Sequence, residues 1–148
     1  MECKRVSKIF KIVGIEGRGA FTSFNTEIPL AAQQFLVRRD EIDNGTGTEI
    51  ALFEPKKDTN HLEGHYYVGM TVNEKQKELP AGMSFIELNQ DFVMTRGNMN
   101  DIGELHNHLL NWSEANGFKR NLDMYIVETY HPMENGEEEV EVFLPIHT

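Results

Sequence analysis

The stretch that decides the fold is MYIVETYHPMENGEEEVEVFLPIH, residues 124–147. Two segments of strand character, 124–132 and 139–147, flank a polar turn containing Asn135-Gly136, the strongest short hairpin signal. Side chains alternate between the two faces of a strand, and one face of the second segment is entirely apolar. This stretch therefore predicts a β-hairpin whose last strand packs against helices through Val140, Val142, Leu144 and Ile146.

The residues before the hairpin predict a strand followed by a helix. Residues 82–88, GMSFIEL, have strand character, and residues 101–117, DIGELHNHLLNWSEANG, have helical periodicity. Asp101 and Glu104 are predicted to form a capping box, and Gly117 stands where a helix end favours a left-handed residue. The apolar face of this helix is predicted to contain Ile102, Leu105, Leu109 and Trp112.

The first half of the chain repeats this order of elements. Residues 8–15 predict a central strand, residues 28–42 a helix, and residues 49–55 and 65–72 two short strands. Such a duplication predicts an α+β fold of tandem pseudo-symmetric β-α-β-β repeats. We expect one domain over residues 1–148, with repeats of about 1–78 and 79–148. Its antiparallel sheet should have both helices on one face and a ligand cleft on the other.

Composition restricts the classes of partner. The chain has 148 residues and a formal net charge of −10, and its 14 basic side chains are scattered along the sequence. Direct binding to nucleic acid is therefore not expected. The single cysteine, Cys3, excludes an internal disulfide, and no segment has the roughly 20 apolar residues of a membrane span. We expect a cytoplasmic protein that does not bind membranes.

Glu128 is an acid in the middle of a predicted strand, where acids are disfavoured. If Tyr125, Val127 and Thr129 pack under the helices, Glu128 and Tyr130 share the open face, with Phe143 across the hairpin. The ordinary explanation of such an acid is exposure to water. However, the same face is predicted to carry too much aromatic surface to be left without a purpose, namely Tyr130, Phe143, Tyr67 and Phe53.

Alternation also brings Glu141 to this face as a candidate second carboxylate. Aligning the two repeats through Pro55 and Pro132 makes Phe53 equivalent to Tyr130, and Ala51 equivalent to Glu128. The alignment predicts a symmetric aromatic cleft with one carboxylate, in the C-terminal half. A carboxylate between apolar walls favours a cationic ligand, and aromatic faces attract cations as well.

The order of several short motifs resembles the GyrI-like effector-binding domain. This family occurs at the C-terminus of AraC-type and MerR-type transcription regulators, and also as free-standing bacterial proteins. The motifs span nearly the whole chain: FKIVGI (10–15), YYVGMTV (66–72), LPAGMSFIEL (79–88), a helix tryptophan followed by NGF (116–118), VETY (127–130) and FLPIH (143–147).

The resemblance implies two facing β-α-β-β repeats with a ligand cleft between them. It also implies that Glu128 is the counter-charge for cationic aromatic drugs, with Tyr130 and Trp112 at matching positions. Core packing explains Trp112 equally well, because it continues the apolar helix stripe. A DNA-binding helix-turn-helix has no room in this chain, so a free-standing member is expected.

No metal site or cofactor is predicted. In HLEGH (61–65) the acid stands at the wrong position for a zinc motif, and Gly64 argues against the required helix. In HNH (106–108) the two histidines are two residues apart on a helix, so their side chains diverge.

Three functions remain open. The first is a protein that senses or sequesters a hydrophobic, cationic ligand, using Glu128, Tyr130, Phe143, Tyr67 and Phe53. The second is a hydrolase of strained, electrophilic small molecules using Glu128 as its catalytic acid, although catalysis is not required. The third is binding to a protein partner such as DNA gyrase or a regulator. The identity of the ligand and the oligomeric state are not predicted.

Overall fold

The computed structural model describes residues 2–148, which form six strands and two main helices. The first half contains β1 (Cys3–Ala20), α1 (Phe24–Leu36), β2 (Gly45–Phe53) and β3 (Glu63–Val72). The second half contains β4 (Ser84–Asn98), α2 (Ile102–Ala115), β5 (Ile126–Pro132) and β6 (Glu138–Pro145). A short 3-10 turn precedes each helix, at Phe21–Ser23 and Met99–Asp101, and another follows α1 at Arg39–Glu41. The predicted α+β class and the repeated order of elements are confirmed.

The strands pair antiparallel into a closed barrel in the order β1-β3-β2-β5-β6-β4. β2 and β5 lie side by side, with Ala51 directly opposite Glu128. These two residues are equivalent in the repeat alignment, so the pseudo-two-fold axis passes between them. β1 and β3 approach closely where Gly14 pairs with Gly69, because a Cβ atom on Gly69 would lie 2.1 Å from the carbonyl oxygen of Val13.

Apolar residues fill the barrel and also cover part of its outer face. Inside the barrel, the rings of Phe10, Phe92 and Phe143 meet edge to face. Apolar side chains from β1, β2 and β5 pack around them, namely Ile12, Leu52 and Val127. On the outer face, α1 packs on β1 and β3, and α2 packs on β4 and β6. Both helices therefore lie on one side of the sheet, as predicted.

Several boundaries differ from those predicted. β1 continues to Ala20 and β4 to Asn98, through segments expected to be loops. α1 begins at Phe24, four residues before the predicted start, and ends at Leu36, six residues before the predicted end. Polar composition favoured loops in these segments, but pairing of the long strands with β3 and β6 satisfies their backbone groups instead.

The predicted position of the cleft is wrong. Among residues 2–148, apolar side chains fill the interior of the barrel, which occupies the space where the cleft was predicted. Glu128 and Tyr130 face outward, on the side of the helices, whereas Val127 faces the interior. The open space lies between α1 and α2, above β2 and β5.

The turn between β5 and β6 explains this inversion. Gly136 donates its N–H to the carbonyl of Met133, and Met133 donates its N–H to Glu137, which leaves three residues in the loop. Gly136 takes the left-handed conformation, with φ +85°. A two-residue Asn135-Gly136 turn would pair Glu128 with Phe143, but the observed register pairs Glu128 with Val142. A shift of one residue moves a side chain to the opposite face.

Candidate functional site

A cleft of about 850 Å³ lies between α1 and α2, with β2 and β5 as its floor. Its volume falls within the range of small-molecule sites in proteins. The residues of its apolar lining come from both helices and from the floor, and they include Phe21, Phe24, Ile28, Phe53, Ile102 and Ile126. The cleft therefore spans both repeats and is open to a ligand with a large apolar surface.

Glu128 is the buried charge of this cleft, with only 6% of its surface exposed. Its Oε2 lies 2.6 Å from Nε2 of His106, and its Oε1 accepts a hydrogen bond of 2.6 Å from the Tyr130 hydroxyl. Within residues 2–148, no lysine or arginine forms an ion pair with this carboxylate. Two hydrogen bonds compensate its burial, and its charge has only His106 as an ionisable positive partner.

Local structure explains how these three side chains meet. Glu128 and Tyr130 are two residues apart on β5, so they point to the same face. His106 lies on α2 four residues after Ile102 and three before Leu109, in the stripe that faces the sheet. The carboxylate thus bridges strand and helix on the floor of the cleft.

Electrostatics keep the phenol of Tyr130 in its donating form. Burial raises the pKa of Tyr130 well above its usual value, and the adjacent negative charge of Glu128 raises it further. Tyr130 therefore remains protonated at neutral pH and serves as a permanent hydrogen-bond donor to Glu128.

Acidic side chains dominate the charged lining of the cleft. Besides Glu128, three glutamates line it, namely Glu49, Glu54 and Glu138, whereas Lys56 is the one lysine or arginine among the described lining residues. Partial burial raises the pKa of Glu49, Arg39 lowers it, and the negative charge of Glu138 raises it again. The prediction of a single carboxylate is therefore wrong for the cleft as a whole, although Glu128 is the buried one.

Aromatic rings form a wall beside these acids. The ring of Phe53 lies 6.3 Å from the ring of Phe24, edge to face, and 6.3 Å from the imidazole of His106. Phe21 continues the wall, with its ring centre 5.0 Å from that of Phe24. Cations are attracted to such ring faces, and aromatic ligands pack against them.

Of the sequence-predicted site residues, the structure brings Glu128, Tyr130 and Phe53 together in the cleft. Phe143 is fully buried inside the barrel. Tyr67 also packs on the interior side, where its hydroxyl donates to Glu16. The expectation that these two rings share a face with Glu128 is wrong, because the hairpin register places them on the opposite side of the sheet.

Glu141 and Trp112 also lie away from the cleft. Glu141 accepts a hydrogen bond from Thr129, forms an ion pair with Arg96 and lies 3.4 Å from Nε2 of His131, on the barrel side of the sheet. Trp112 stacks on Phe118, with 5.8 Å between the ring centres, and packs with the core under α2. Trp112 therefore packs in the core and does not line the cleft.

Sequence reasoning missed His106, Glu49 and Phe24. His106 falls at helical spacing from Ile102, Leu105 and Leu109, and this spacing was the signal that could have placed it against the sheet. Glu49 alternates with Ala51 and Phe53 along β2, so it shares their face.

Within residues 2–148, no three His, Cys, Asp or Glu side chains come together to hold a metal ion.

The fold resembles those of several solved structures at low sequence identity. SAV2435 bound to tetraphenylphosphonium matches with a TM-score of 0.74 and 12% identity, over 99% of this chain and 94% of that chain. The EcmrR C-terminal domain matches with a TM-score of 0.61 and 15% identity, over 100% and 99% of the two chains. A hydrolase from Listeria innocua matches with a TM-score of 0.60 and 8% identity, over 99% and 92%.

No protein-family profile matches the sequence, and no functionally curated protein is significantly similar to it. The structural matches span nearly the whole chain, so the resemblance to GyrI-like effector-binding domains is confirmed at the level of the fold. In the part of the chain that the structure describes, no helix is long and apolar enough to cross a membrane.

Proposed function

We propose that this protein binds a small hydrophobic cation in the cleft between α1 and α2, with Glu128 as the counter-charge and Tyr130 and Phe53 as contact residues. The observation that carries the proposal is a nearly buried carboxylate, 6% exposed, that has no lysine or arginine partner among residues 2–148. A ligand cation supplies a permanent positive charge to this carboxylate, whose only ionisable positive partner among residues 2–148 is His106.

The rest of the cleft supports the same class of ligand. Its four glutamates make the potential inside it negative, and its aromatic wall accepts flat or propeller-shaped apolar groups. SAV2435, which has the same fold, is bound to tetraphenylphosphonium, a lipophilic cation. This likeness makes tetraphenylphosphonium a rational probe for the present cleft.

Isothermal titration calorimetry with tetraphenylphosphonium tests the proposal, and tetraphenylborate serves as an anion of the same shape. We expect the protein to bind tetraphenylphosphonium but not tetraphenylborate. Glu128→Gln should bind tetraphenylphosphonium about tenfold or more weakly than the wild type, because an ion pair in a partly desolvated site contributes well over 1 kcal/mol. Glutamine has the size of glutamate and still accepts the Tyr130 hydrogen bond. Its circular dichroism and thermal unfolding should therefore stay close to those of the wild type.

Glu141→Gln is the matched control, because Glu141 is an acid of the same sheet that lies outside the cleft. It should bind tetraphenylphosphonium as the wild type does. Equal binding of the cation and the anion, or equal affinities of the wild type and Glu128→Gln, would refute the proposal.

Hydrolysis of a strained electrophile is the second candidate, and one observation favours it. Glu128 and His106 are hydrogen-bonded at 2.6 Å beside an apolar wall, an arrangement that can transfer a proton to or from a substrate. Turnover of such a substrate that disappears in Glu128→Gln would support this function.

The predicted interaction with a protein such as DNA gyrase rests on the net charge of the chain and stays a prediction.

A further inference from the structure

His106 occupies the position beside Glu128 that suits a ligand's positive charge. Its Nε2 lies 2.6 Å from Oε2 of Glu128, while Tyr130 holds the other carboxylate oxygen. The side chain of His106 is 26% exposed and lines the cleft, so it contacts the buried acid and is also accessible to a ligand in the cleft. The following inference rests on the proposed binding of a cation.

We propose that His106 is a specificity-determining residue that acts as an exchangeable counter-ion. In the unligated protein, the imidazole of His106 neutralises Glu128 whenever it is protonated. A bound cation takes over this neutralisation, and His106 releases its proton to the solvent while its neutral Nε2–H remains able to donate to Glu128. The total charge at the carboxylate is thus the same before and after binding.

This exchange makes the preference of the cleft for cations over neutral ligands depend on pH. A cation that entered beside a protonated His106 would place two positive charges next to one carboxylate, so loss of the proton accompanies its binding. A neutral ligand has no charge to exchange and binds without proton release. His106 therefore weakens the binding of a cation, but not that of a neutral ligand, whenever it is protonated, and Glu128 alone sets the preference for cations once it is neutral.

Linkage determines the direction of the pH dependence. Since the cation and the His106 proton compete for the same carboxylate, protons weaken cation binding, and the cation weakens proton binding by the same factor. Affinity is low at acid pH, rises by up to about tenfold per pH unit, and becomes constant once His106 is neutral without ligand. Histidine side chains commonly change charge between about pH 5 and 8.

Other ionisable groups face His106 across the cleft and need separate controls. β5 contributes Glu128 and Tyr130, β2 contributes Glu49, and β6 contributes Glu138. Glu54 and Lys56 follow β2, whereas α1 presents only uncharged residues to the cleft. Tyr130 stays protonated throughout the acid and neutral range. Glu49 changes affinity in the same direction as His106, so a variant without it separates the two contributions.

The test is calorimetric titration of the wild-type chain with tetraphenylphosphonium between pH 5.5 and 8, in buffers of different ionisation enthalpy. The dependence of the observed heat on the buffer gives the number of protons released. We expect release that approaches one proton per cation at the acid end and falls to zero at the alkaline end. Nuclear magnetic resonance of the His106 ring should show loss of its proton on addition of the cation at acid pH.

Three variants assign this proton to His106. His106→Gln keeps a hydrogen-bond donor beside Glu128 but cannot titrate, so it should bind the cation with little change in affinity between pH 6 and 8 and without proton release. His108→Gln removes an exposed histidine of the same helix and should behave as the wild type. Glu49→Gln should retain the proton release, because this release originates at His106.

The outcomes separate this inference from the proposed function. Cation-selective binding without proton release, or with release that persists in His106→Gln, overturns the inference and leaves the proposed function standing. An absence of cation-selective binding at every pH overturns both.

Discussion

Replacing Tyr130 by phenylalanine tests whether the hydroxyl of Tyr130 stabilises the buried charge of Glu128. The substitution removes a hydrogen bond of 2.6 Å to a carboxylate that is 6% exposed, and leaves the ring in place. A hydrogen bond to a charged group contributes roughly 1.5–3 kcal/mol. Because the cleft admits water near the vacated oxygen, we expect the loss to lie toward the lower end, at about 1.5–2 kcal/mol.

A chain of this length should lose roughly 3–8 °C in melting temperature for that change in stability. Urea unfolding monitored by circular dichroism measures the free energy directly, and the slope against urea should stay the same because the fold does not change. A double-mutant cycle with Glu128→Gln isolates the interaction of the hydroxyl with the negative charge. We expect a coupling energy of about 1 kcal/mol.

Tyr125→Phe is the matched control. Tyr125 also flanks β5, but within residues 2–148 no side chain hydrogen-bonds to its hydroxyl, and its ring packs edge to face on Tyr67. Its substitution should change the free energy of unfolding by less than about 0.5 kcal/mol. If Tyr130→Phe changes stability no more than Tyr125→Phe does, then Tyr130 does not stabilise the Glu128 charge, and the reasoning about this site fails.

Three further predictions concern stability. Burial raises the pKa of Glu49, so the folded state holds its proton more tightly than the unfolded state does. Ionisation of this acid therefore lowers the free energy of unfolding as the pH rises above about 4.5. Glu49→Gln should stabilise the protein at pH 7 but not at pH 3, as measured by urea unfolding at both pH values. Gly136→Ala should lower the free energy of unfolding by about 1–2 kcal/mol, because Gly136 has a φ of +85°. Gly103 lies in α2 with open space around it, so Gly103→Ala should raise the free energy of unfolding by about 0.5–1 kcal/mol. Thermal unfolding of both variants compares the two effects. Gly69→Ala should lower the melting temperature more than any of these, or prevent folding, since its Cβ would lie 2.1 Å from the carbonyl oxygen of Val13.

Periodicity in the sequence was enough to predict the elements and their repeated order. The apolar alternation of residues 140–146 matches the face of β6 that packs under α2, and the helical spacing of residues 102–109 matches the buried side of α2. These patterns are local, and each strand or helix must bury its apolar side wherever it is placed. The repeat alignment also made Ala51 equivalent to Glu128, and the two residues are indeed direct neighbours across β2 and β5.

The face to which Glu128 points could not be read from alternation alone. Alternation states that Glu128 and Tyr130 share a face, but both faces of β5 carry apolar residues, Ile126 on one and Val127 on the other. The choice depends on the register of the hairpin, and therefore on whether the loop has two or three residues. Both loops are compatible with Asn135-Gly136, so the local sequence does not distinguish them.

The sequence by itself determined the α+β class, the two repeats and the presence of an acid beside a tyrosine on one strand. Only the tertiary structure decided that the barrel closes, that its interior takes Phe143 and Tyr67, and that the cleft lies between the helices. It also joined His106 to Glu128, 22 residues apart in the chain. The physical reason is that periodicity is a property of each segment, whereas the contacts of a buried charge depend on how separate segments pack together.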